Sequence, residues 1–192
     1  MIRRRRNRAG FKGSRRGQLR NITPIHERPE RVETRERLGD LEGDLVMGTR
    51  PSAGATLVDR RSRYLHIVAV AGIKAQPVRE ALVDALSAIP ADHRRSLTWD
   101  RGREMAEHEL LARLTGTPIY FADARSPWQR GSNENVNGLL RQYLPKRTNL
   151  ATYNQAELDK IADRINNRPR KVLGWRTPAE AYAQDAHGAL TA

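Results

Sequence analysis

The chain of 192 residues contains no cysteine, which excludes a disulfide framework, a thiolate zinc site and a thiol nucleophile. Aromatic residues are scarce at 5%, with two Phe and three Trp, so any core must be largely aliphatic. Long apolar runs are missing too. Ile67–Ile73 spans seven residues, far short of the roughly 20 that cross a bilayer. The N-terminus has the charge of a secretory signal but no apolar segment behind it. Acid is absent from residues 1–20, where nine basic residues stand: Arg3, Arg4, Arg5, Arg6, Arg8, Lys12, Arg15, Arg16 and Arg20. The other 172 residues hold 26 basic and 22 acidic groups, close to balance. Such a chain has room for one ordinary domain and an extension. A basic arm on a nearly neutral body reads by default as a cytoplasmic protein that meets a polyanion, with no membrane partner; the alternative is a basic protein with a disordered tail.

What is present sorts into two parts. Residues 1–36 lack periodicity and include Gly10, Gly13, Gly17, Pro24 and Pro29; they read as a basic arm and linker, mostly disordered in isolation. Residues 37–192 read as one globular domain. Leu41–Gly48 suits a first strand, and Ala55–Asp59 with Tyr64–Val70 a hairpin. Val78, Ala81, Leu82, Ala85, Leu86 and Ile89 follow helical spacing between Pro77 and Pro90. A strand at Ser96–Trp99, a helix ended by Gly116 and a strand at Thr117–Phe121 come next. Ser126-Pro127 is an N-cap with Pro at the first helical position, and Val136, Leu139, Leu140 and Tyr143 share a face beyond it. A further helix carries Leu158, Ile161, Ala162 and Ile165 behind an Asn154/Glu157 capping box. Thr177–Glu180 opens the last one. This order predicts an α/β domain with a mixed five-stranded sheet, antiparallel first and parallel later, and flanking helices.

Three acids stand out at element ends. Asp44 is on the first strand, Asp100 ends the fourth, and Glu134 lies on the helix after the fifth. If the first and fourth strands are neighbours, Asp44 and Asp100 sit side by side and that helix can hang Glu134 over them. Carboxylates converging without Cys or clustered His suit Mg²⁺ or Mn²⁺ rather than zinc. Two such ions about 3.5–4 Å apart form a clamp for displacement at phosphorus. Other acids have plainer readings. Asp40 and Glu42 share strand parity with Asp44, so Glu42 is either a supporting group beside it or a surface acid. Glu104 reads as a favourable acid in a helix's first turn. Asp59 and Asp123 read as turn residues, and Trp128 either stacks on nucleic acid or packs.

The stretch from Ser126 to Lys146, containing Arg130-Gly131-Ser132-Asn133-Glu134-Asn135-Val136-Asn137-Gly138, resembles the signature of bacterial insertion-sequence transposases of the IS-thirty family. Glu42-Gly43-Asp44 is similar to that family's first-acid motif, and Thr98-Trp99-Asp100-Arg101-Gly102-Arg103-Glu104 to its second. Asn166–Arg170 and Thr177–Glu180 are similar to its C-terminal end, and 33 residues separate Asp100 from Glu134. The resemblance implies a ribonuclease-H-like integrase catalytic core. It makes Asp44, Asp100 and Glu134 the catalytic, metal-holding acids of a DDE transposase, with two Mg²⁺ or Mn²⁺ ions. The implied reaction is nicking at the element's ends, then attack of the freed 3′-hydroxyl on target DNA, by a homo-oligomer acting at the bacterial nucleoid.

Departures from the family pattern are Asp40 and Leu41 for His and Trp, and Arg101 and Met105 for Asn and Phe. Against that family's pattern, the chain is expected to start just upstream of the core, without the helix-turn-helix region that reads terminal repeats. Expected DNA contacts are Arg130, the polar helix face of Asn133, Asn137 and Arg141, and phosphate contacts by Lys146, Arg168, Arg170, Lys171 and the arm (Arg3, Arg4, Arg5, Arg6). The rival expectations are a truncated remnant that grips DNA without chemistry, and a nuclease on the same fold that joins no strands.

Overall fold

A computed structural model describes residues 19–188; Arg3, Arg4, Arg5 and Arg6 lie outside the described residues. Six strands form one mixed sheet: β1 (Thr23–Pro24), β2 (Asp40–Met47), β3 (Ala53–Asp59), β4 (Leu65–Ala69), β5 (Ser96–Trp99) and β6 (Ile119–Phe121), in the order β1-β6-β5-β2-β3-β4. The β2–β3 and β3–β4 pairs are antiparallel. The β2–β5, β5–β6 and β6–β1 pairs are parallel. Short turns can only reverse the chain, so β2, β3 and β4 form a meander, and β5 and β6 arrive by helical crossovers.

The expected five strands become six, because the supposed linker supplies the added edge. Thr23 pairs with Tyr120 and Pro24 with Phe121. Proline fits such an edge, where its missing N–H costs nothing. Residues 19–36 are therefore part of the folded body. Ile25, Arg28 and Val32 are buried there, the last on the single turn α1 (Arg31–Thr34).

Strand parity divides the interior into two layers. Leu41, Leu57, Leu97 and Trp99 point to one face, where α2 (Ala75–Ala88) and α3 (His108–Thr115) cover them with Val78, Leu82, Leu86 and Leu111. Glycine at 43 is required on this side, since a Cβ there would come within 2.1 Å of the Trp99 ring. Val46, Val58, Leu65 and Ile67 point to the other face, under α4 (Gly131–Leu140) and α5 (Gln155–Asn166). The Asn154/Glu157 capping box is formed at the start of α5. Ser126 makes no capping bond; a 3₁₀ turn at Pro127–Arg130 precedes α4 instead. The final helix, α6 (Pro178–Gly188), is opened by reciprocal Thr177–Glu180 hydrogen bonds of 2.8 and 3.1 Å.

Candidate active site

The second face carries acids as well as aliphatic groups. Asp40, Glu42 and Asp44 alternate along β2, and Ser96, Thr98 and Asp100 run in the same phase along and just past β5. Because the two strands are parallel neighbours, Asp44 and Asp100 emerge on one side at the C-terminal end of β5. Arg130 reaches in between them. Its guanidinium lies 3.4 Å from Asp44 Oδ1 and 3.4 Å from Asp100 Oδ2, and donates to the Gly43 carbonyl at 3.0 Å. Asn137 donates from Nδ2 to Asp44 Oδ2 at 2.7 Å, and the Gly102 N–H donates to Asp100 Oδ1 at 3.0 Å. Burial pushes the Asp44 carboxyl up; Arg130 pulls it down and the Asp100 charge raises it again.

Carboxylate oxygens drawn to one cation are the donor set a hard divalent ion takes, so Asp44 and Asp100 fit such an ion. Glu134 is exposed on α4, on the same helical face as Asn137. Its side chain makes no hydrogen bond or ion pair among the described residues, and none of these hold a cluster of three or more His, Cys, Asp or Glu arranged around a cation. Asp44 and Asp100 thus share one guanidinium, and Glu134 lies on the helical face whose Asn137 reaches Asp44.

Glu104 is in a helix's first turn as expected, the helix being 3₁₀ rather than α. It lies in the 3₁₀ turn Arg103–Met105, where it accepts from Trp99 Nε1 at 3.1 Å. Burial raises its carboxyl, and the charges of Asp100 and Asp44 raise it further. Asp59 goes beyond a turn role, buried and accepting from the N–H groups of Gly39, Arg61 and Ser62.

Glu42 is a buried supporting group. One carboxylate oxygen accepts from Arg60 Nη1 at 2.7 Å; the other accepts from the Asn133 N–H, in the first turn of α4, at 3.0 Å. Arg60 is itself buried, tied also to the Val32 carbonyl at 3.2 Å and Glu33 at 3.1 Å. Arg28 extends the network, donating to Thr98 Oγ1 at 2.8 Å and to Glu33. A fixed anion at the helix N-terminus meets its free N–H groups and its dipole, so Glu42 sets where α4 begins beside Glu134.

The expected DNA contacts divide. Asn133 does not face solvent: it is 1% exposed and pairs with Thr56 Oγ1 at 3.1 Å. Arg141 is turned inward, donating to the Met47 carbonyl at 3.1 Å and so tying the end of α4 to β2. Arg130 and Asn137 address the acids. Lys146, Arg168 and Lys171 are exposed, with Arg168 donating to Gln142 at 3.1 Å, and Arg170 is half-buried. Trp128 is 72% exposed beside Arg130 and does not pack. An asparagine on a helix wheel looks solvent-facing, but the partners of Asn133 come from β2 and β3, which no local pattern reveals.

No family model matches the chain. It is 54% identical, over 83% of its length and 42% of the relative's, to the transposase InsI of insertion sequence element IS30A from Escherichia coli K12. This chain is a homologue of the IS30-element transposases. It is also 47% identical to the transposase of IS1086 from Cupriavidus metallidurans, over 88% of this chain and 50% of that one. The chain thus spans about half the length of the curated relatives it matches. Among solved structures, the catalytic core domain of BIV integrase superposes with a TM-score of 0.58 at 17% identity, over 79% of this chain and 97% of that one. The homologue therefore has the ribonuclease-H-like integrase fold. Among its described residues no helix is long and apolar enough to cross a membrane.

Proposed function

We propose that this chain is the catalytic core of a DDE transposase, cutting DNA phosphodiesters and passing the freed 3′-hydroxyl to target DNA at the bacterial nucleoid. The observation that carries the reading is the pairing of Asp44 and Asp100 across adjacent parallel strands, 3.4 Å on either side of one guanidinium. Asp44 and Asp100 would hold Mg²⁺ or Mn²⁺, with Glu134 as the third acid. At that site a divalent cation would supply Lewis-acid polarisation of a phosphoryl oxygen and activation of the attacking hydroxyl. Asn137 orients the Asp44 carboxylate. Arg130 balances the two negative charges until cations compete for them. Two DNA ends must be handled together, so the working form is a homo-oligomer.

The test is Asp100→Asn in the full chain. Nicking of an end-bearing duplex in Mg²⁺ or Mn²⁺ should be lost, while duplex affinity in metal-free buffer stays within about twofold. Full nicking activity in this variant would remove the site. Joining of a 3′-hydroxyl end to target DNA by the unaltered chain separates a transposase from a nuclease that only cleaves.

A further inference from the structure

On the side of α4 away from Asp44 and Asp100 lies a cavity of about 330 Å³, lined by Arg35, Arg63, Arg170, Ser132, Asn135 and Val172 among others. Three guanidinium groups meet there and no carboxylate lines it. Arg35 and Arg63 both have left-handed backbones, with φ of 56° and 63°, a conformation costly for residues other than glycine. Among the described residues, none of the three arginines pairs with an acid. Arg63 donates to Ser132 Oγ, and Arg170 Nη2 to the Ile165 carbonyl at 3.3 Å, while Arg170 Nε is buried without a partner. Burial and like charges hold both Arg63 and Arg170 below the usual arginine range. The groove continues past Arg35 and Arg63 into a second compartment with Arg61 and Arg176, where the one acid, Asp185, is already paired with Arg61 at 3.0 Å.

Guanidinium groups gathered in a cavity whose lining holds no acid, with Glu42 and Asp59 acting on Arg63 only from behind it, make a receptor for an anion. Two exposed apolar side chains, Val172 and Trp175, 69% and 70% exposed, flank the basic residues Arg170, Lys171 and Arg176. That mixture of arginine and exposed aromatic is what a sugar–phosphate backbone with a base beside it recognises. We infer that the Arg35–Arg63–Arg170 groove binds a backbone phosphate of DNA remote from the bond that is cut. On α4, Ser132, Asn135 and Val136 face this groove while Asn137 and Glu134 face the other way, so one helix separates the gripped phosphate from the reacting one. The inference rests on DNA being the substrate; the site itself is independent of the acids.

The test is a salt series of duplex affinity in metal-free buffer, comparing the full chain with Arg35→Gln/Arg63→Gln and with Arg35→Glu alone. Every phosphate that the protein no longer neutralises should flatten log affinity against log salt by about 0.9. The double variant is expected to lower the slope by about one unit and the affinity at low salt by roughly tenfold. Arg35→Glu removes no ion pair within 4 Å, although it sets a carboxylate near Glu33, and should weaken binding in the same direction in protein whose cooperative thermal transition shows that it is folded. An unchanged slope in both folded variants overturns the inference. So does protection of the thermal transition by inorganic pyrophosphate with no arginine dependence of DNA affinity, which would mark a small-anion site. Nicking by the unaltered chain is scored separately: a flatter slope in the variants without any nicking keeps the groove and removes the catalytic reading.

Discussion

On one face of the sheet the buried cluster under α2 and α3 is made of aliphatic and aromatic side chains, from Leu41 and Leu82 to Trp99 and Phe121. On the other, Val46, Val58 and Ile67 share the interior with Asp40 and Glu42 of β2, Thr56 of β3 and Thr98 of β5. The first kind of packing is governed by volume and tolerates sliding as long as space is filled. The second is directional. Glu42 meets one N–H of α4 and one guanidinium, and a helix shifted by a residue would forfeit that match. The polar face is therefore the one that determines where α4, and with it Arg130, Glu134 and Asn137, comes to rest. A buried ion pair need not add net stability over an apolar replacement; here its geometry serves placement.

The sharpest way to break this comparison is Glu42→Gln. The shape is kept and the charge removed, leaving Arg60 buried with only the more exposed Glu33 opposite. A cost of about 3–5 kcal/mol is expected in denaturant unfolding of the metal-free protein. A cost under about 1 kcal/mol would mean the pair does not organise that face.

The next effect comes from His66, at the β4 edge, paired across the ladder with Leu57 of the apolar cluster. Burial holds its imidazole down to about 4. The unfolded chain takes up that proton near 6.5 and the folded chain does not until about 4, so stability falls as pH drops through that window. The loss should approach about 3 kcal/mol below about pH 4, and His66→Phe should remove this part of the pH dependence. An identical pH profile for the variant would show that His66 is not the titrating group.

The smallest effect is a shape-conserving change on the apolar side. Leu82→Met should cost less than about 1.5 kcal/mol in the same unfolding measurement, although Leu82 is fully buried. A destabilisation as large as that of Glu42→Gln would erase the contrast between the two faces.

Much of this layout is legible in the sequence, and the parts that are not share a cause. Helices α2 and α5 announce themselves by apolar spacing and by the Asn154/Glu157 box, and the strand phase that aligns Asp44 with Asp100 follows from period two. Thr23–Pro24 does not, because a two-residue edge strand has no periodicity and exists only through β6. Arg28 and Arg60 look like surface charges until Thr98, Glu33 and Glu42 are brought to them from 5 to 70 residues away. The chain's own chemistry says which groups need partners; only the tertiary fold says who they are. Glu134 shows the converse: its motif marks it strongly, yet among the described residues its side chain makes no hydrogen bond or ion pair that would show its role.

Gly43 gives the mainly apolar face a say in the setting of the acids on the other. Trp99 fits beneath β2 because residue 43 has no side chain, and Trp99 directly precedes Asp100 as Gly43 precedes Asp44. The indole therefore works as a spacer gauge, setting how closely β2 and β5 approach just before each delivers its carboxylate. Any side chain at 43 would collide with the indole, so the ring or the strand that carries Asp44 would have to shift without either acid having been touched.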